Sequence, residues 1–180
     1  MTIYMTFQAI EAGRLRLNEM LTVSAHAARQ PSSRLGLRRG QSISVENAIM
    51  AVTTRSANDA AVLLAERIGG SEANFATMMT QQAHSMGMYS SAFHNASGLP
   101  DEGQISSARD LALLSAALIR DFPQYYRYFS ATEFAYKGRV LPNTNKILKT
   151  YPDADGLKTG FTCGSGYNLI ASAKRDGRRL

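Results

Sequence analysis

Lys158, Thr159 and Gly160 follow one another in the run Asp155-Gly156-Leu157-Lys158-Thr159-Gly160-Phe161-Thr162, and Gly164-Ser165-Gly166-Tyr167 comes just after. On a short strand such a triplet offers one ligand a cation, a hydroxyl and an approachable backbone. A substrate ending in a carboxylate suits that set. Far upstream stands a second triplet, Ser56-Ala57-Asn58. Serine is a weak nucleophile at neutral pH and needs a base beside it. No serine of this chain has a lysine three positions later.

The elements around these residues can be read from pattern. Thr2 to Ala12 predicts a helix, with Ile3, Phe7 and Ile10 at helical spacing and Gly13 as its stop. Arg14 to Gln41 is polar and reads as loop with short extended pieces. Ser44 to Thr54 and Asn58 to Ile68 predict two helices, the second ended by Gly69-Gly70. Ser71 caps a third, whose buried stripe is Phe75, Met78, Met79, Ala83 and Met86. These methionines read as core filler. Asn95 to Asp101 is dense in turn residues. Ser107-Ala108-Arg109-Asp110 predicts a capping box opening a helix with Leu111, Leu114 and Leu118 aligned. Phe134 to Val140 predicts a hairpin about Lys137-Gly138. Leu157 to Thr162 and Tyr167 to Ala173 predict antiparallel strands, and Asp176-Gly177 predicts a further tight turn.

Composition narrows the function classes. With 180 residues, 44% of them hydrophobic, the chain can bury a core. The net charge of +6 reads as a solvated basic surface, with attraction to an anionic polymer such as cell wall as the sharper alternative. No nucleic-acid motif accompanies it. A single cysteine, Cys163, excludes an internal disulfide framework and a multi-cysteine metal site. His26, His84 and His94 have no metal-ligand spacing, so neither a metal nor an organic cofactor is expected. No apolar run is long enough to span a bilayer, and no signal peptide is evident, so any membrane attachment would reside in segments outside these residues.

Four segments, in order, resemble the low-molecular-mass penicillin-binding proteins, the serine-type D-alanyl-D-alanine carboxypeptidases of peptidase family S11. They are Ser56-Ala57-Asn58-Asp59-Ala60-Ala61, the loop Phe93-x-Asn95-x-x-Gly98-Leu99, Asn143-Thr144-Asn145 with Leu148, and Asp155 to Gly160. Any one triplet arises by chance; the ordered set is specific. The resemblance implies an α/β (α+β) fold of the β-lactamase/transpeptidase-like type. In it an antiparallel sheet is flanked by helices, a helical subdomain lies to one side, and the substrate occupies the cleft between. Residues 1–180 would be one incomplete domain.

The resemblance also assigns roles. Ser56, Asn58 and Lys158 would be catalytic: Ser56 relays a proton, Asn58 holds the substrate's backbone amide and steadies the lysine of the missing nucleophile motif, and Lys158 supplies positive potential for the terminal carboxylate and orients Ser56. Lys158, Thr159, Gly160 and Phe161 would bind substrate. Thr159 would donate its hydroxyl to the carboxylate, Gly160 would let the peptide lie along the strand, and the Phe161 N–H would form half of an oxyanion hole. The expected partner is a peptidoglycan stem peptide ending in D-Ala-D-Ala, with β-lactams as inhibitors, outside the cytoplasm in the periplasm or on the outer face of the membrane. The family's Ser-x-x-Lys motif should lie just upstream of Thr2, so the expectation is a chain cut at both ends and inactive alone. Losing one oxyanion donor costs about two to three orders of magnitude in rate, and losing the serine of such a unit costs on the order of a millionfold.

Plainer readings stand beside these. Ser56 and Asn58 are good caps for the helix that follows. Lys158 could be a charge guarding an edge strand. Asn143 and Asn145 are as readily turn formers, and Cys163 a passive neighbour. A class A β-lactamase shares the expected fold, but Ala57 replaces the Asp expected there. A non-catalytic peptidoglycan-binding relative is the third alternative.

Overall fold

The computed structural model describes residues 1–180. Helix α1 spans Thr2–Glu11 and ends where Gly13 takes φ +68. The polar stretch after it is mostly irregular, as expected. It still forms a three-residue strand, β1 (Met20–Thr22), and a four-residue helix, α2 (Ala25–Ala28), too short to leave a periodic signal. β1 pairs antiparallel with β2 (Ser42–Ser44).

Helix α3 runs Val45–Arg55. The Ser44 hydroxyl accepts the Asn47 N–H, satisfying one of the free donors at the helix start, and Val45, Ile49 and Val52 are buried. Helix α4, Asn58–Gly69, is buried continuously from Asn58 to Ala65. A helix covered on every side belongs at the centre of its domain, and the small residues Ala60, Ala61 and Ala65 let its neighbours approach. Gly69 is required: a Cβ there would sit 2.8 Å from the Phe75 backbone nitrogen. Helix α5, Glu72–Ser85, is capped by Ser71 and buries Phe75, Met79 and Ala83, with Met78 and Met86 at the margin.

Helix α6, Ala108–Asp121, begins with the Ser107 hydroxyl accepting the Asp110 N–H. The expected capping box closes only halfway. The Asp110 carboxylate turns instead to the Ser90 N–H and the Ser91 hydroxyl, at 2.9 and 2.8 Å, and ties that loop to the helix. A 3-10 turn, Pro123–Tyr125, and α7, Arg127–Ser130, follow. Their rings join the core through Phe7, whose ring stacks on Tyr125 and Tyr128 with centroids 4.8 and 6.0 Å away.

The hairpin of β3 (Glu133–Tyr136) and β4 (Arg139–Pro142) turns at Lys137 and Gly138, both at positive φ as a two-residue turn demands. After the short helix α8 (Ile147–Thr150), β5 (Ala154–Thr162), β6 (Gly166–Arg175) and β7 (Arg178–Arg179) form an antiparallel sheet in that order, with Asp176-Gly177 as the second tight turn. One continuous apolar core runs from α1 through α3, α4 and α5 to Phe134 and Leu157. No helix is long and apolar enough to cross a membrane.

Candidate functional site

Ser56 sits where α3 stops and α4 has not begun. Its backbone is left-handed, φ 51 and ψ 39, and its N–H closes on the Ala51 carbonyl. A non-glycine residue in that region costs about 1–3 kcal/mol and persists where the surroundings impose it. Ser56 does not cap α4: the N-cap is Ala57, which has no side-chain bond, and Asn58 is already the first helical residue. The capping reading of this triplet therefore fails. The Ser56 hydroxyl instead accepts a hydrogen bond from the Lys158 ammonium, 102 positions away in sequence.

Lys158 reaches Ser56 from β5. Its ammonium also donates to the Thr159 carbonyl at 2.6 Å. Burial lowers its pKa from 10.5 to about 8, because little solvent remains to stabilise the charge. No carboxylate pairs with it. This is a desolvated cation aimed at a hydroxyl, quite unlike a solvated edge-strand guard.

The strand is held from behind by a partly buried chain of polar groups. The Tyr126 hydroxyl hydrogen-bonds the Ser172 hydroxyl, which donates to Asp155 at 2.7 Å, and Asp155 pairs with Arg179 at 2.5 Å. Arg179 in turn lies over the Tyr126 ring, 4.7 Å from its centroid. Burial raises the Tyr126 pKa, which keeps its hydroxyl protonated. Gly156 makes this packing possible, since a Cβ there would lie 2.5 Å from the Tyr126 hydroxyl. Sequence reading gave none of these residues a role. Ser172, a buried polar residue inside the apolar run Leu169 to Ala173, was the available signal.

A cleft of about 910 Å³ opens beside the Ser56–Lys158 contact. Lys158, Thr159, Gly160 and Phe161 line one wall. In the strand order β5 has only β6 beside it, so β5 is an edge strand. The α3–α4 junction supplies a second part of the lining, Ser56 and Asn58, together with Ser32 and Ser33. Ser97, Gly98 and Leu99 form a third rim. That loop is fixed by Asn95, whose side chain accepts the Gly98 N–H at 2.8 Å and donates to the Leu99 carbonyl at 2.9 Å, and by Glu72, which accepts the Ala96 N–H at 3.0 Å.

Asn143 and Asn145 are turn formers and cleft neighbours at once. Asn143 accepts the Asn145 N–H and donates to the Ala131 carbonyl, both at 2.7 Å, while the Thr144 N–H donates to the Thr54 carbonyl at 2.9 Å. The segment is thereby pinned against the end of α3, just behind Ser56. Asn145 lines the cleft, is buried, and its amide nitrogen has no partner. Cys163 is exposed at the β5–β6 turn. The sequence-predicted residues Ser56, Asn58, Lys158, Thr159, Gly160 and Phe161 are thus brought to one cleft from two elements. No cluster of metal-ligating side chains accompanies them.

Known proteins resemble the chain along its whole length. The chain is 38% identical over 187 residues to the D-alanyl-D-alanine carboxypeptidase DacC of Escherichia coli K12, covering all of this chain and 47% of that protein. The crystal structure of penicillin binding protein 5 from Haemophilus influenzae superposes with a TM-score of 0.93 at 36% identity, over 99% of this chain and 53% of the other. The ampicillin-bound Penicillin-Binding Protein D2 of Listeria monocytogenes superposes with a TM-score of 0.88 at 36% identity, over 99% of this chain and 73% of the other. The chain spans about half the length of the curated relatives it matches. The family model of the D-alanyl-D-alanine carboxypeptidases, Peptidase_S11, matches residues 1–180 throughout, and the chain belongs to that family.

Proposed function

We propose that residues 1–180 supply one half of the active site of a serine-type D-alanyl-D-alanine carboxypeptidase. The reading rests on one observation: the Lys158 ammonium, desolvated on an edge strand, donates to Ser56 at the mouth of a cleft that Asn58 also lines. An extended peptide can add to the edge of β5 as an extra strand. Gly160 favours this, because a Cβ there would meet only Asn168 at an ordinary 3.8 Å. Packing within the chain does not require glycine at that position; a close-lying ligand backbone would. Thr159 and Lys158 then meet the terminal carboxylate, Asn58 takes the peptide amide, and the Phe161 N–H faces the carbonyl that develops negative charge. Ser56, hydrogen-bonded to Lys158, passes a proton to the leaving D-alanine.

The attacking serine and its lysine belong to a Ser-x-x-Lys motif that these residues do not contain. We place it in sequence preceding Thr2, in a longer polypeptide of which this chain is part, acting outside the cytoplasm on peptidoglycan stem peptides. Residues 1–180 are then part of one transpeptidase-like domain, and β-lactams acylate the complete enzyme. The test is to translate the DNA upstream of Met1, express the longer protein and measure D-alanine release from a peptide ending in D-Ala-D-Ala. Ser-x-x-Lys in frame, and release abolished by Ser56→Ala, are expected. An unrelated upstream sequence with retained peptide binding would instead make this a non-catalytic peptidoglycan-binding relative.

A further inference from the structure

Strand β5 is not regular along its length. Ala154 pairs with Ala173 of β6 and Gly156 with Ser172, so two steps along β5 match one step along β6. The extra residue, Asp155, forms a β-bulge just ahead of Lys158. Side chains alternate between the faces of a sheet, so one residue more or less on a strand exchanges the faces of everything beyond it. A bulge beside an active site re-aims a side chain in this way. The residues it re-aims here are Leu157, Lys158 and Thr159, and of these it is Lys158 that meets Ser56.

The bulge is clamped from the helical side. Tyr126, buried between the 3-10 turn and α7, sends its hydroxyl to Ser172. The Ser172 hydroxyl has one proton, which goes to Asp155 at 2.7 Å. Its oxygen is therefore the acceptor, and Tyr126 donates. Arg179 pairs with the other oxygen of the Asp155 carboxylate. Gly156, opposite Ser172, has no side chain to push the Tyr126 hydroxyl away. Two residues on, the Tyr128 hydroxyl donates to Glu46 in the first turn of α3 at 2.8 Å. One short segment thus grips both the bulge that precedes Lys158 and the helix that ends at Ser56. We infer that Tyr126 is a positioning residue: its hydroxyl, through Ser172, holds the Asp155 bulge in the phase that turns Lys158 toward Ser56. The inference rests on the proposed role of that pair in D-alanine release.

The test removes one oxygen: Tyr126→Phe keeps the ring and deletes the donor. Two quantities are read in the longer protein containing this chain. One is D-alanine release from a D-Ala-D-Ala peptide, with kcat and KM measured separately. The other is the ionisation of Lys158, followed by NMR of its side-chain Cε and Nζ. Tyr126→Phe is expected to lower kcat/KM about tenfold in the parent, chiefly through kcat. In a Lys158→Met background the loss should be less than about twofold, since residues that act as a unit are not additive. The Lys158 pKa, lowered by burial to about 8, should rise by about one unit or more toward 10.5 as the ammonium turns toward solvent. A ring that only filled the core would cost stability and leave that pKa in place. Unchanged Lys158 ionisation, or equal losses of kcat/KM in both backgrounds, would overturn the inference. Ser172→Ala breaks the same clamp from β6 and is expected to give the same rise, so it takes over should Tyr126→Phe fail to fold. A parent protein that releases no D-alanine refutes the functional reading, and the ionisation of Lys158, which needs no turnover, then decides the clamp by itself.

Discussion

Ser56 and Asn58 stand at the junction of α3 and α4, where every residue from Ala57 to Ala65 is buried. Lys158 to Thr162 stand on an edge strand where Phe161 is 57% exposed, and Tyr167 and Leu169 on the strand beside it are 90% and 56% exposed. The helical side is held by packing on all faces. The strand side is held from behind by the Tyr126–Ser172–Asp155–Arg179 chain and presents much of its other surface to solvent. The division suits a peptide-binding cleft. Groups that move protons need sub-ångström placement and sit in the core, while a surface that must accept an added strand stays open along one edge.

The sharpest way to break the comparison is to remove the same kind of mass from each side. Phe75 is fully buried against α4. Phe75→Ala is expected to cost about 3–5 kcal/mol, the usual loss for a large core ring with its cavity left behind. Denaturant unfolding measures it. A loss under about 1 kcal/mol would mean that the helical side is not the rigid one.

Next in size is Lys158, where the two regions touch. Lys158→Met removes the cation and keeps the stem. In the longer protein it is expected to lower kcat/KM for the D-Ala-D-Ala peptide by about two to three orders of magnitude, as loss of one preorganised electrostatic group does. Stability should move the other way. Burial depresses the folded-state pKa to about 8 from 10.5, so between those values the unfolded chain binds a proton that the folded chain does not. Unfolding free energy of the native protein therefore rises with pH across about 8 to 10.5, and below 8 the fold carries a desolvated ammonium. The variant should melt higher than the parent at pH 7 and lose that advantage by pH 10. A gain of equal size at both pH values would show that charge is not the cause.

The two regions also differ in how far the sequence discloses them. Caps at Ser71 and Ser107, and turns at Lys137-Gly138 and Asp176-Gly177, were legible because each depends on residues within one turn of the chain. The site residues were legible as motifs, through their likeness to a family. Their geometry was not. Ser56 as a left-handed C-cap, Asp59 as an anchor for residues 35–37 and the Tyr126–Ser172 contact all join positions more than twenty residues apart or hinge on one dihedral pair. Four-residue helices such as α2, α7 and α8 are shorter than the window in which periodicity can be seen.

The smallest expected effect is the most pointed one for the strand side. Tyr167 is nearly fully exposed; its ring lies 4.5 Å from that of Phe161, and both line the cleft. Tyr167→Ser removes about as much apolar mass as Phe75→Ala does in the core. Because its surface is already in water, little transfer free energy is lost, and the change in unfolding free energy should stay within about 0.5 kcal/mol. The ring pair could contribute up to about 1 kcal/mol more if it were well ordered, which sets the upper bound. Thermal unfolding of Tyr167→Ser beside Phe75→Ala decides the matter. A cost approaching that of Phe75 would mean this face of β6 is packed against something, and the cleft wall would have to be counted as core.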